Sequence, residues 1–425
     1  MTTTSGSPAP PRIRRIQFLS LSLLVLSGAI NYVDRATLAV ANTSIVKDMG
    51  LSLGQMGLLL SAFSWSYALA QLPAGALADR LGARRLLGFG LIAWSIAQGA
   101  AGFVQNFFQF VVARILLGIG EAPQFPSAAR VVSNWYPPAQ RGAPTGVFNA
   151  ASPLGSALAP LILTQALLVL DWRWLFILTG LAGFFAAALW FALYRDPADL
   201  PLTEEERAYL AEDGAKRETE TVTFAAWAAL FSHRATWGMM LGFFGSVYLN
   251  WVYLTWLPAY LVNERHMSLA SSGLMASIPF FCGFVGCLVA GWLSDQISQR
   301  SASPVLGRRR AVALAMFGMA AFTVPAALAE SNAFAVFCIS VVIFLANAAS
   351  ACSWALATAV APPNRVASLG SLQNFGGFLG GALAPIITGF IAQTHGFAPA
   401  LLVGAGFAFL GALSYLFLVR APIKA

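Results

Sequence analysis

Four ionisable side chains stand where the sequence around them is almost wholly apolar. Asp34 and Arg35 lie in "AINYVDRATLAVA", and Arg114 and Glu121 in "ARILLGIGE". A charge inside a hydrophobic span is costly and is kept when it faces a partner or a water-filled cavity. These four sum to zero. Protonating both acids leaves two uncompensated guanidiniums, and an arginine fork takes a carboxylate with two parallel hydrogen bonds. The chemistry this suggests is proton exchange at Asp34 and Glu121, coupled to the binding of an organic anion. The plainer alternative is a pair of structural salt bridges stapling two helices.

Helix geometry orders the four. Arg114 and Glu121 are seven residues apart and share one helix face. Asp34 and Arg35 are neighbours, so their side chains diverge by about 100°. Asp34 and Arg114 each sit roughly 10–12 Å in from the outer ends of their runs and can pair across helices, with Glu121 roughly 10 Å deeper. Tyr32 lies three residues before Arg35, on the same face. With Tyr67, Ser152, Ser353, Trp354 and Asn374 it forms the expected substrate-binding set beside Arg35 and Arg114. Hydroxyl, amide and indole groups around a guanidinium suit a hydroxylated acid.

A second group reads as a gate. "GALADRLGARR" puts Asp79 near the C-terminal end of a helix, against the helix dipole, so an arginine must compensate it. Arg80, Arg84 and Arg85 are at hand, and Asp295 in "GWLSD" is the counterpart of Asp79 later in the chain.

The elements that must position these groups are membrane helices. The chain has 425 residues, 58% hydrophobic and 10% charged, with mean hydropathy +0.70. A soluble domain carries about a quarter charged residues, so lipid is the solvent for most of this chain. Apolar runs fall at approximately 16–43, 54–78, 86–104, 107–130, 143–168 and 173–194. Six more fall at approximately 235–262, 269–293, 310–329, 332–359, 366–392 and 397–419. Each is near the length needed to cross hydrocarbon. The expected fold is all-α and integral to the membrane, with about twelve helices in two pseudo-symmetric six-helix bundles. The bundles are residues 1–194 and 235–425, joined by a polar linker at 195–234. "TEEERAYLAEDG" in the linker predicts a short surface helix with Thr203 as N-cap and Glu206 closing a capping box.

The halves repeat. "NAASPLGSALAPLI" from Asn149 and "NFGGFLGGALAPII" from Asn374 share N-x4-L-G-x-A-L-A-P, each in the fifth run of its half. Such a repeat implies a substrate path between the halves near the bilayer midplane. Arginines cluster on the side of the N-terminus, which puts both termini in the cytoplasm by the positive-inside rule. Arg12, Arg14 and Arg15 before the first run, with "AVA" at 39–41, resemble a secretion signal, but the run is too long and is read as a retained helix.

The net charge of +8 is scattered in short clusters between runs, which excludes a nucleic-acid-binding domain. Cys282, Cys287, Cys338 and Cys352 lie in apolar segments and read as core residues, and the three histidines form no pair, so no metal site is expected. No G-x-S-x-G or H-E-x-x-H pattern suggests an enzyme.

"GALADRLGARR" resembles the helix 2–3 loop motif, G-x-x-x-D-R-x-G-x-R-R, of the major facilitator superfamily. "NYVDR", "RILLGIGEAPQFP", "NWYPPAQRG" and "DWRWLFILTG" resemble the anion:cation symporter branch, which includes bacterial carriers of galactonate, glucarate and hexuronates. The resemblance implies proton-driven uptake of a sugar acid or related carboxylate by alternating access. It implies proton-carrying roles at Asp34 and Glu121, and a carboxylate-binding role at Arg35 with Tyr67 nearby. Where sugar-acid members often carry amides, this chain has Ser152 and Phe378. The expected partners are a small organic anion, protons and the lipid bilayer of a bacterial cytoplasmic membrane. No nucleic acid and no cofactor beyond the proton gradient is expected, and the protein is expected to work as a monomer. "SPLGS" at 152–156 faintly resembles an element of proton-antiporting exporters, which form the competing class.

Overall fold

The computed structural model describes residues 9–137, 140–211, 228–299, 303–362 and 365–423, apart from the side chains of residues 72, 76, 79, 142, 211, 290–299, 304 and 367. The side chains of Asp79 and Asp295 therefore lie outside the described residues, and the gate expected of them is not placed.

The first half holds α1 (Pro11–Val40), α2 (Asn42–Met49), α3 (Leu53–Ala101), α4 (Phe107–Glu121), α5 (Gln124–Trp135), α6 (Gly142–Val169) and α7 (Trp172–Leu193). The linker carries α8 (Glu204–Ala211). The second half holds α9 (Arg234–Asn263), α10 (Leu269–Gln299), α11 (Pro304–Leu328), α12 (Asn332–Val360), α13 (Val366–His395) and α14 (Phe397–Leu418). Among the described residues, eight helical segments are long and apolar enough to cross a membrane. The fourth expected span is α4 and α5 together, and the second and third are the two arms of α3. In hydrocarbon every backbone N–H and C=O must be satisfied within its own segment, which is why lipid-length apolar runs become helices.

Two details differ from a simple reading of the apolar runs. The second and third runs form one helical stretch broken at Gly82 (φ 77, ψ 158) rather than two helices with a loop. A left-handed φ is open to glycine, and a Cβ there would also meet Asp196 Oδ2 at 2.8 Å. The fourth run is divided near Pro123, which leaves Glu121 as the last residue of α4. Proline lacks the amide a continuous helix needs.

The described residues fall into two compact units. One takes residues 9–35, 65–155 and 171–211, and the other 36–64, 156–170 and 228–423. In the first, α6 approaches α1 at Gly155, where a Cβ would lie 2.8 Å from Tyr32 Cβ. In the second, α13 approaches α9 at Gly380, where a Cβ would lie 2.5 Å from the Phe244 carbonyl oxygen. Gly155 and Gly380 are the same position of the repeated motif, so the repeat marks an equivalent close helix contact in each half.

The second unit also holds the early part of α3. Ser61 Oγ donates to the Ala382 carbonyl (2.5 Å), and Gly57 faces the Pro385 carbonyl with no room for a side chain.

In the first unit α8 is capped as expected: Thr203 N–H donates to Glu206 Oε2 (2.9 Å) and Glu206 N–H to Thr203 Oγ1 (3.2 Å). Arg12 pairs with Glu206 at 3.2 Å, and Tyr209 OH donates to Gln140 Oε1 at 2.9 Å. Nearby, Tyr136 OH donates to the Gln17 carbonyl (3.2 Å). Burial, with Tyr209 adding to it, pushes the Tyr136 phenol up to about 12, so it remains a donor at neutral pH.

Candidate functional site: a buried charge cluster in the first unit

The site begins with how α1 and α4 are held. α4 lies against the second arm of α3 at Gly120, where a Cβ would be 2.7 Å from the Trp94 backbone nitrogen. That contact holds the end of α4, and with it Glu121, inside the bundle. On α1, the contact of Tyr32 with Gly155 fixes the rotation of the helix at the neighbouring Asp34 and Arg35.

Arg35 Nε donates to Glu121 Oε2 at 2.8 Å, with side chains 8% and 0% exposed. The guanidinium carbon lies 4.8 Å from the Tyr32 ring centroid and 4.6 Å from that of Tyr67. Planar guanidinium stacks well on aromatic faces. Tyr67 OH in turn accepts from Gln71 Nε2 at 2.8 Å. Arg35 is thus presented as an oriented plane, with one edge on Glu121.

The hydrogen-bonded pair is Arg35–Glu121, not the Asp34–Arg114 pair that equal depth suggested. Asp34 is 0% exposed, and neither carboxylate oxygen has a hydrogen-bond partner. Arg114, also buried, is an electrostatic neighbour of both Glu121 and Asp34. Gln98 braces the Asp34 backbone: its Nε2 donates to the Asp34 carbonyl (3.4 Å) and to Thr179 Oγ1 (3.0 Å). Asn31 is fully buried and close to Glu121, outside hydrogen-bond geometry. Gln124 Nε2 donates to Ser27 Oγ at 2.9 Å. Gln98, Gln124 and Thr179 were missed from the sequence. Their signal was available, since each is a polar side chain inside an apolar run.

The other expected binding residues are placed differently. Ser152 is half-buried on α6 in the first unit, three residues before Gly155. In the second unit, Ser353 is closed off. It accepts from Tyr415 OH (3.1 Å) and donates to the Ala349 carbonyl (2.7 Å), so it ties α12 to α14. Trp354 is 44% exposed and sits edge-on to Phe243. Asn374 is half-buried at the head of the glycine-rich face of α13. Gln373 beside it is fully buried, with neither amide atom hydrogen-bonded.

Of the expected gate, Arg84 is committed to packing within the first unit. Its Nε and Nη2 donate to the carbonyls of Tyr194 (3.0 Å) and Phe191 (2.9 Å), and its N–H to Asp196 Oδ2 (3.1 Å). Arg80 and Arg85 are exposed. Among the described residues no group of His, Cys, Asp or Glu is arranged to hold a metal ion.

Lipid-length helices, an internal repeat and a buried cluster of two acids and two arginines describe a multi-pass membrane carrier. The chain belongs to the major facilitator superfamily, whose family model matches residues 24–305. It is 42% identical over 432 residues to the probable L-galactonate transporter of Escherichia coli K12, covering 100% of this chain and 95% of that one. It is 32% identical over 415 residues to the D-galactonate transporter of Escherichia coli O6:H1, covering 95% and 96%. Among solved structures, a bacterial homolog of the human lysosomal transporter Spinster superposes with TM-score 0.79 over 98% of this chain and 100% of that one. At 18% identity this last likeness shows the fold alone.

Proposed function

We propose that this protein is a proton-coupled symporter that takes up a small organic anion, a sugar acid or related carboxylate, across a bacterial cytoplasmic membrane. The observation that carries the reading is the Arg35–Glu121 pair, buried and flanked by two tyrosine rings. While Glu121 is ionised, its oxygen occupies the guanidinium edge. When Glu121 takes up a proton, the pair loses its attraction and Arg35 needs another anion. A substrate carboxylate supplies it, and the two hydroxyl-bearing rings stand ready for the rest of the molecule. Proton and anion then bind together, which is what symport requires.

Asp34 is the second proton site in this proposal. It can gain or lose a proton without breaking a hydrogen bond, and its effect passes to Arg114 and to the Gln98–Thr179 brace. Arg35 beside Tyr67 forms the carboxylate-binding side. The names of the two relatives support a sugar acid as cargo. Arginine clustering supports cytoplasmic termini, and the repeat supports residues 1–194 and 235–425 as the halves that alternate about the linker at 195–234.

The test is uptake of radiolabelled galactonate into proteoliposomes with an acidic exterior. Accumulation above equilibrium, abolished by a protonophore, is expected. Equilibration only, with or without the pH gradient, would remove the proton from the mechanism. Efflux driven by the same gradient would make the protein an antiporting exporter.

A further inference from the structure

The second unit holds a positive cavity that the proposed transport chemistry does not use. It has a volume of about 380 Å³ and is lined in part by His233, Arg234, Arg420, Phe417, Leu418 and Ile423. It lies where the first turn of α9 meets the segment that leaves α14. That segment is folded back rather than trailing away: Ile423 N–H donates to the Val360 carbonyl at the end of α12 (2.8 Å). Arg309 of α11 reaches the same place, its Nη1 donating to the Val419 carbonyl (3.0 Å), with Arg310 and Arg420 as its charged neighbours.

Arg234 and Arg420 thus line the cavity, and Arg309, with Arg310 next to it, adds positive charge beside Arg420. Among the described residues no carboxylate pairs with Arg234, Arg309, Arg310 or Arg420. Placing like charges together without a counter-charge is unfavourable unless an anion joins them. Arginine forks match phosphate oxygens, and the positive end of α9 adds to the same field.

The shoulder of the cavity is apolar and faces outward. Phe417 is 59% exposed, and Trp237, one turn into α9, is half-exposed with its indole Nε1–H on the Phe231 carbonyl. Helix ends carrying an outward tryptophan mark the depth of the lipid headgroups. Basic pockets between membrane helices at that depth suit acidic headgroups.

We propose that this cavity binds the phosphodiester headgroup of an anionic phospholipid, with the acyl chains lying along Phe417 and Leu418. The site shares no residue with the Arg35–Glu121 centre. Its occupant ties the ends of α9, α11 and α14 together from outside.

The experiment uses the full-length protein in a neutral detergent, supplemented with phosphatidylglycerol or with phosphatidylcholine of the same acyl chains. Retention of lipid is read by native mass spectrometry and stabilisation by thermal shift. Phosphatidylglycerol is expected to be retained and to raise Tm, and phosphatidylcholine to do neither. Each arginine removed is expected to weaken binding about fivefold, so Arg234→Gln with Arg420→Gln weakens it roughly thirtyfold. Arg195→Gln, in the first unit, is expected to leave it unchanged. Should the double variant not fold, the unaltered chain still decides. Its affinity for phosphatidylglycerol must fall as sodium chloride rises from about 50 mM to about 500 mM. Equal retention of both lipids overturns the proposal, as does salt-insensitive binding or wild-type binding by a folded double variant. A full thermal shift from inorganic phosphate alone also overturns it, because the site would then be a phosphate site and not a lipid site.

Discussion

Replacing Glu121 by glutamine tests the coupling at its centre, because the change removes one charge and almost no volume. In the wild type Arg35 Nε and Glu121 Oε2 are 2.8 Å apart, with side chains 8% and 0% exposed. With charge centres about 4 Å apart and an effective dielectric near 20, their attraction is about 4 kcal/mol. Desolvation of the carboxylate opposes this, and removing one partner of such a buried pair costs on the order of 3 kcal/mol. A carboxylate ligand docking on Arg35 recovers that amount, because it no longer displaces Glu121. Binding of galactonate at neutral pH should therefore tighten by one to two orders of magnitude, at about 1.4 kcal/mol per tenfold. Two assays read this. Isothermal titration at acid and at mildly alkaline pH should show the wild-type pH dependence flattened in the variant. In proteoliposomes, counterflow exchange should persist while accumulation driven by a pH gradient disappears. The ligand should also raise Tm more in the variant than in the wild type, since it fills a vacancy beside a buried guanidinium. Galactonate accumulation by Glu121→Gln, driven by the pH gradient alone, would refute the reasoning. So would a pH dependence of binding identical to that of the wild type.

Four further changes probe different parts of the argument. Asp34→Asn removes no hydrogen bond, so thermal stability should change by less than about 1 kcal/mol, while gradient-driven accumulation in vesicles is lost. Arg35→Lys keeps the charge but loses the planar fork between Tyr32 and Tyr67, and titration should show galactonate affinity at least about tenfold weaker in a folded protein. Gly245→Ala would place a methyl group 2.2 Å from the Phe407 carbonyl oxygen, so denaturation should show a loss of about 1–3 kcal/mol. Gly406→Ala meets nothing within 4 Å and should be neutral or stabilising by up to about 1 kcal/mol in the same assay.

Much of this protein was open to reading along the chain. Hydropathy marked the spans because lipid leaves a polypeptide few ways to satisfy its backbone. The four buried charges stood out because charge is scarce in such runs. Thr203 and Glu206 announced the linker helix, since a capping box is a contact between near neighbours in sequence. The repeated glycine motif was visible as well and marked two halves, but the helix contact it makes in each half was not. Only the packed helices show Gly155 against Tyr32 and Gly380 against Phe244 as two versions of one contact.

Tertiary packing decided which charges meet. Counting residues along α1 and α4 set Asp34 level with Arg114, whereas the folded chain joins Arg35 to Glu121 and leaves the Asp34 oxygens without a hydrogen bond. A residue count measures height along one straight helix. It contains neither the rotation of that helix about its axis nor the distance to the next, and close contacts such as Gly120 on Trp94 and Gly155 on Tyr32 set both. The sequence alone determined that this protein holds paired charges inside a membrane. Which acid grips the arginine was decided by glycines that let the helices touch.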